Sequence, residues 1–387
     1  MNLQPTGPLE DQEIVANTLR SLRLASRAGQ LQLPVRTPVN SARGCLLGIA
    51  VGDALGLPFA GLKPARISRM LNNQPLSHRF MFKQGLFSDN TELACMTAQS
   101  LVVSRNSPDR FCEDMAGRFK WWLASLPTGV RYNTLRSAMN LWMGSRPSHS
   151  GIRSAENGPS IRAPIIGVYA RNNPELLREL IFRSTLLTNN DTRALDGAQI
   201  VAIATRMACS QPAAGVDPQD FLDLAPQHIQ DEQLLHNLNI AINAAQKSLE
   251  PQALLDALQL NAGITNYTNH SVPAALYCWF RHPTDFRQAI QCAIQLGGDT
   301  DTVASIVGGI SGAGLGPEQI PEEWIAGLVD WPVTTNWIGH LAEELAKASS
   351  GQSAQALDLF WPFRFFRSFF FAGVLLTRNT RRILPPY

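Results

Sequence analysis

The run Gly297-Gly298-Asp299-Thr300-Asp301-Thr302 sets two carboxylates one residue apart beside a threonine hydroxyl. It leads straight into a helical stretch from Val303 to Gly314. Two glycines permit an unusual backbone path. Hard divalent cations such as Mg2+ favour oxygen donors of this kind in near-octahedral array. Taken alone, the run also has the composition of a plain helix N-cap, in which Asp and Thr satisfy free N–H groups without a metal. A second run, Gly85-Leu86-Phe87-Ser88-Asp89-Asn90-Thr91-Glu92, again packs a hydroxyl and a carboxylate into the first turn of a helix. Capping does not require two such openings to resemble each other. Two that face one another can share an ion, and Asp89, Asp299 and Asp301 are then its carboxylates.

Positioning those loops is the task of the helices around them. Gly44, Gly48, Gly52 and Gly56 recur every four residues, giving a helix one smooth, small-residue face. Gly308, Gly309, Gly312, Gly314 and Gly316 thin the helix after the Asp-Thr-Asp-Thr run in the same way. Close helix packing is the simplest use of both stripes. No Gly-Lys-Ser/Thr follows the first, so it is not a P-loop. Apolar residues at three- and four-residue spacing predict further helices over 108–122, 133–143, 174–187, 193–208, 232–248 and 284–295, beside 44–57 and 301–313. Ser41 is the expected cap of the first. Alternating strand patterns are nearly absent, which predicts an all-α domain over about 41–345.

Lys and Arg number 33 against 31 Asp and Glu, a near-balance without the general basic footprint of a nucleic-acid binder. The chain is 45% hydrophobic, enough for a large core. Its six cysteines form no CxxC pair and sit in apolar stretches, which predicts buried free thiols in a reducing compartment. The histidines are dispersed, against a zinc site. The acidic N-terminus does not resemble a signal peptide, and no run approaches about 18 uninterrupted apolar residues, so a cytoplasmic protein is expected. Residues 1–40 read as an extension with a weak amphipathic stretch (Ile14, Val15, Leu19, Leu22). Residues 346–387 read as a linker and a basic, Phe-rich tail. The tail's composition suits an anionic membrane surface, but docking on the body through its arginines is preferred.

Several segments together resemble the ADP-ribosylglycohydrolase family, which includes the dinitrogenase-reductase-activating glycohydrolases. They are GCLLGIAVGDALGLPF, SDNTE, NGPSIRAPIIG from Asn157 to Gly167, STLLTNND from Ser184 to Asp191, GGDTDTVASIVGGISGAGLG, and IPEEW from Ile320 to Trp324. Each is weak alone, but their order over about 41–332 is specific. The resemblance implies an all-α fold whose cleft holds two Mg2+ or Mn2+ ions and cleaves ADP-ribose from a protein side chain or small molecule. It assigns metal contacts to Ser88, Asp89, Asn90, Asp299, Asp301 and Thr302, with Asp89 and Asp299 in catalysis. Asn157, Gly158 and Arg162 fall at substrate positions, Arg162 as a bidentate partner for pyrophosphate. Asp53 is expected to hold a ligand or a water in place. Three positions depart from the pattern: Ala60 replaces an acidic residue, Asn90 an aspartate, and Asn189 a histidine. Cleavage through an oxocarbenium-like state needs an activated water and a fixed ribose. The departures therefore leave open a second reading, a module that binds ADP-ribose or a nucleotide without turnover, or that blocks a partner protein.

Overall fold

A computed structural model describes residues 37–72, 74–210, 216–359 and 361–383. The amphipathic stretch expected in the N-terminal extension, and most of that extension, lie outside them. Among the described residues the regular elements are helices, joined by isolated β-bridges, as the patterning predicts. In chain order they are α1 Pro38–Gly56, α2 Pro64–Leu71, α3 Asp89–Ser104, α4 Pro108–Ala124, α5 Tyr132–Trp142, α6 Gly158–Tyr169, α7 Pro174–Leu186 and α8 Thr192–Ser210. There follow α9 Pro218–Leu224, α10 Glu232–Gln246, α11 Pro251–Ala257, α12 Thr268–Arg281, α13 Phe286–Gln295, α14 Thr300–Leu315, α15 Glu322–Ala326, α16 Thr335–Ser349 and α17 Trp361–Ile383. All six cysteines are free and buried.

The two glycine stripes pair with each other. A Cβ placed on Gly44 would lie 2.0 Å from the carbonyl oxygen of Gly312, and one on Gly48 would lie 2.1 Å from that of Gly308. Gly52 meets Ala304 and Gly56 meets Thr300 in the same manner. The partner numbers fall as the glycine numbers rise, so α1 and α14 run antiparallel with their backbones in contact. Side chains that would keep two helices 8–10 Å apart are missing along this face. The pairing brings the C-terminal end of α1, with Asp53, to the N-terminal end of α14, with Asp299 and Asp301.

Helix α1 begins earlier than predicted, because Pro38 occupies its first turn and the Thr37 hydroxyl accepts the Asn40 N–H at 3.2 Å. Thr37 therefore caps it, and Ser41 is buried inside. The stretch Pro38–Phe59 is apolar enough by length and composition to cross a membrane, yet 89% of its most apolar window is buried within the protein. A helix that is apolar on every side belongs in a core.

The tail forms α17, and Arg367 docks it. Its guanidinium donates to Asp330 Oδ2 at 2.7 Å and to the Phe87 carbonyl at 2.6 Å, and pairs with Glu92 at 3.3 Å. It also lies 4.4 Å from the Phe371 ring centroid, while Phe371 stacks on Phe80. This is the docked arrangement preferred for the tail, achieved through an arginine that is almost fully buried. Replacing Arg367 with Met leaves Asp330 buried without its partner, at a cost of about 3 kcal/mol or more. The expected result is protease cleavage around α17 at doses that leave the body intact, seen by mass spectrometry.

Candidate functional site

Asp53 organises the first loop. Its carboxylate accepts the Ser88 hydroxyl at 2.8 Å, the Ser88 N–H at 2.9 Å, the Thr91 N–H at 3.0 Å and the Thr91 hydroxyl at 2.6 Å. Burial pushes this carboxyl up to about 6 although all four bonds favour the anion. Ser88 caps α3, its oxygen also accepting the Asn90 N–H at 3.2 Å. Asp53 thus holds the Ser88 loop in place through both its hydroxyls and its backbone.

The second loop is pinned from two sides. Gly297 and Gly298 sit at φ +67° and +73°, where a side chain is strained, and a Cβ on Gly298 would lie 1.9 Å from the Ile264 carbonyl oxygen. The Gly298 N–H donates to Leu62 O at 2.8 Å, the Gly61 N–H to Gly298 O at 2.8 Å, and the Asp299 N–H to Ile264 O at 2.8 Å. Ala60 therefore stands beside this turn and brings no carboxylate to it. Asp299 begins α14, but its side chain does not cap the helix. Its oxygens turn instead to Asn157, whose Nδ2 donates at 2.8 Å, and to Arg131. Plain capping accounts for Ser88 and fails for Asp299.

The two loops meet. Asn90 Nδ2 donates to the Thr302 hydroxyl oxygen at 3.5 Å, a long bond between residues 212 positions apart. Asp89, Asp299 and Asp301 keep partial solvent access, whereas Asn90, Thr91, Thr300 and Thr302 are buried. The carboxylates thus face the mouth of the cluster. Burial pushes Asp89 up to about 7, against the pull of Arg131 and helped by Asp53 and Glu92. Burial also raises Asp301, with Asp299 and Asp53 adding to it and Arg131 opposing. Asp301 Oδ1 is buried and makes no hydrogen bond. Crowded carboxyls of this kind, one with an oxygen unspent, suit a hard cation, which would restore their anionic form. Among the described residues, however, no three His, Cys, Asp or Glu side chains are placed so that they could hold a metal ion by themselves. Any cation site here also draws on hydroxyl, amide or water oxygens.

Arg131, which the sequence reading missed, lies at the centre. It is the residue before α5, and its Nη2 donates to Asp299 Oδ1 at 2.8 Å, Asp299 Oδ2 at 3.0 Å and the Thr302 hydroxyl oxygen at 2.6 Å. Its Nη1 donates to Asn157 Oδ1. Burial works against its charge, but Asp299, Asp301 and Asp89 outweigh burial and the guanidinium's pKa is raised.

Other expected site residues divide. Asn157 is in the cluster, and Gly158 follows it at the start of α6 with open space where a Cβ would stand. Asn189 braces the approach to Asn157, its Nδ2 donating to Ser154 O at 2.9 Å. Arg162 does not reach the cluster, contrary to its expected role on pyrophosphate. Its side chain is fully buried, donating to Ser184 Oγ at 3.0 Å, Ser184 O at 2.7 Å and Thr188 Oγ1 at 3.0 Å. Burial lowers it to about 9. It ties α6 to the end of α7 and offers no exposed fork to an anion. An open cavity of about 580 Å3 shares Asn189 and is lined also by Arg153, Asp191 and Arg193, without the three cluster carboxylates.

The ADP-ribosylglycohydrolase family model matches residues 35–355. ADP-ribosylhydrolase ARH3 of Bos taurus is 26% identical over 326 residues, covering 73% of this chain and 87% of that protein. ADP-ribosylarginine hydrolase Tri1 of Serratia proteamaculans is 26% identical over 339 residues, covering 81% of each. A solved chain described as an ADP-ribosylglycohydrolase-related protein complex aligns with a TM-score of 0.60 at 24% identity, over 81% of this chain and 99% of that one, a likeness of fold.

Proposed function

Since the chain belongs to the ADP-ribosylglycohydrolase family, we propose that it hydrolyses the glycosidic bond joining ADP-ribose to a modified protein side chain or small molecule. The observation carrying this reading is the meeting of two distant helix openings, joined by the Asn90–Thr302 contact, with Asp89, Asp299 and Asp301 at the mouth.

Ser88, Asp89, Asn90, Asp299, Asp301 and Thr302 are the residues that would hold Mg2+ or Mn2+. When bound, such ions supply Lewis acidity and fix hydroxyl and water oxygens in place. The chain's own groups do the rest. Asp89 accepts the proton of the attacking water as it closes on the anomeric carbon. Asp299, Asn157 and the Arg131 between them form the wall against which the ribose is oriented. The open ground beside Gly158 lets the sugar approach the α6 backbone. Asp301 stabilises positive charge as the oxocarbenium-like state develops.

The test is release of free ADP-ribose from an ADP-ribosyl-arginine substrate with Mg2+ or Mn2+. Turnover should appear in the unaltered chain and fall at least about a hundredfold in Asp89→Asn, as loss of a positioned proton acceptor predicts. No release with enzyme equimolar to substrate, and no rescue by Asn90→Asp, would remove the hydrolase reading. A second reading then stands, a cleft that binds ADP-ribose without cleaving it. It is favoured by Arg131 occupying Asp299 and by the missing acid at Ala60. Calorimetry with ADP-ribose alone separates it from a protein with no ligand.

A further inference from the structure

Arg131 spends its guanidinium on the oxygens a cation would use. One of its nitrogens has both oxygens of Asp299 and the hydroxyl of Thr302 within 2.6–3.0 Å, and the other nitrogen reaches the amide oxygen of Asn157. Aspartate, threonine and asparagine oxygens drawn from two separate segments thus converge on one positively charged group. An ordinary surface ion pair has one carboxylate and much water. This guanidinium is only 22% exposed and its carboxylate partner 13% exposed.

The opposite side of the cluster differs. Asp301 has a buried carboxylate oxygen without a hydrogen bond, and Arg131 donates no hydrogen bond to Asp301 or Asp89. The cluster therefore divides into a half already neutralised by a guanidinium and a half with an acceptor unspent. Asp89, Asp299 and Asp301 share this cluster with the buried Asp53, whose charge also acts on Asp89 and Asp301, while Asn90 and Ala60 add none. A second divalent ion would stand directly against the Arg131 guanidinium, where a like-charge contact costs kilocalories even in a polar site.

We propose that Arg131 is a built-in cation occupying one of the two ion positions expected for this cluster, leaving a site for a single divalent ion beside Asp301 and Asp89. The inference rests on the metal-site reading above and adds the number of ions and their place. A guanidinium donates hydrogen bonds and carries charge, but it cannot open a coordination position to water. Its half of the site therefore orients a ligand and does not activate water.

Counting ions tests this without any turnover assay. Calorimetric titration of the full chain with Mn2+ should give one ion per chain. Arg131→Met should tighten that ion roughly tenfold or more, since a positive neighbour is removed. Arg131→Met combined with Asn90→Asp should admit a second. Two ions in the unaltered chain, or an unchanged count and affinity in both variants, overturn the proposal and leave the hydrolase reading standing. No ion in any form overturns this inference and the metal-dependent reading together. Electron paramagnetic resonance of Mn2+ in the unaltered chain needs no variant to fold. It should show isolated ions, and a spin-coupled pair would overturn the proposal.

Discussion

Gly308→Val should yield no folded protein under conditions where Gly117→Ala folds with unchanged or slightly higher stability. A Cβ at 308 would stand 2.1 Å from the Gly48 carbonyl oxygen and 2.7 Å from its carbon, both backbone atoms that cannot swing aside. Relief requires α1 and α14 to separate by more than 1 Å, because atoms of this kind need over 3 Å. Separation at this point also opens the contacts at Gly44–Gly312 and Gly52–Ala304, since one rigid helix carries all of them. Overpacking a core position usually costs about 1–3 kcal/mol, but that figure assumes side chains can rearrange. Here none is present to do so. Gly117 lies inside α4 with nothing within 4 Å of a Cβ, so alanine there gains up to about 1 kcal/mol from helix propensity. Circular dichroism and the soluble yield of the two variants decide the matter. A cooperative melt for Gly308→Val near the unaltered protein's would show that the helices tolerate separation.

Asp53→Ala should cost on the order of 5 kcal/mol, while Asp53→Asn should cost less than half as much. The alanine variant strands two buried backbone N–H groups and two buried hydroxyls at Ser88 and Thr91, each group worth about 1–3 kcal/mol when left unpaired. Asparagine keeps a carbonyl oxygen for the two N–H donors and the Thr91 hydroxyl. Its NH2 group can donate to the Ser88 oxygen instead of accepting from it. The comparison therefore separates hydrogen bonding from charge. Chemical denaturation of both variants measures the difference. Equal losses would mean that Asp53 acts through its charge, and that the four bonds are incidental.

Much of this arrangement was readable from residue type and spacing. The two acidic helix openings and both glycine stripes were visible because local patterning encodes them. That the stripes face each other was not, since either could have met any smooth helix. Arg131 was invisible for a related reason. It lies just before a helix that begins at Tyr132, and its partner Asp299 is 168 positions away, so no periodicity connects them. Arg162 misled in the opposite direction: its place within a familiar motif suggested an anion clamp, whereas the fold buries it against Ser184 and Thr188. Helices α6 and α12 were obscured by the interior prolines Pro164 and Pro273. In α6 the proline serves packing, because a Cβ on Gly309 would meet the Pro164 ring carbon at 2.8 Å.

Arg367 grips the Phe87 carbonyl, one residue before Ser88, and reaches Glu92 on the other side of that opening. During synthesis it leaves the ribosome after every carboxylate it helps to position. A nascent chain that already contains the whole of α14 still lacks the brace behind α3. A product cut short before α17 would therefore keep the Asp299 loop pinned by Leu62 and Ile264, but would leave the Asp89 loop held by Asp53 without the brace behind it.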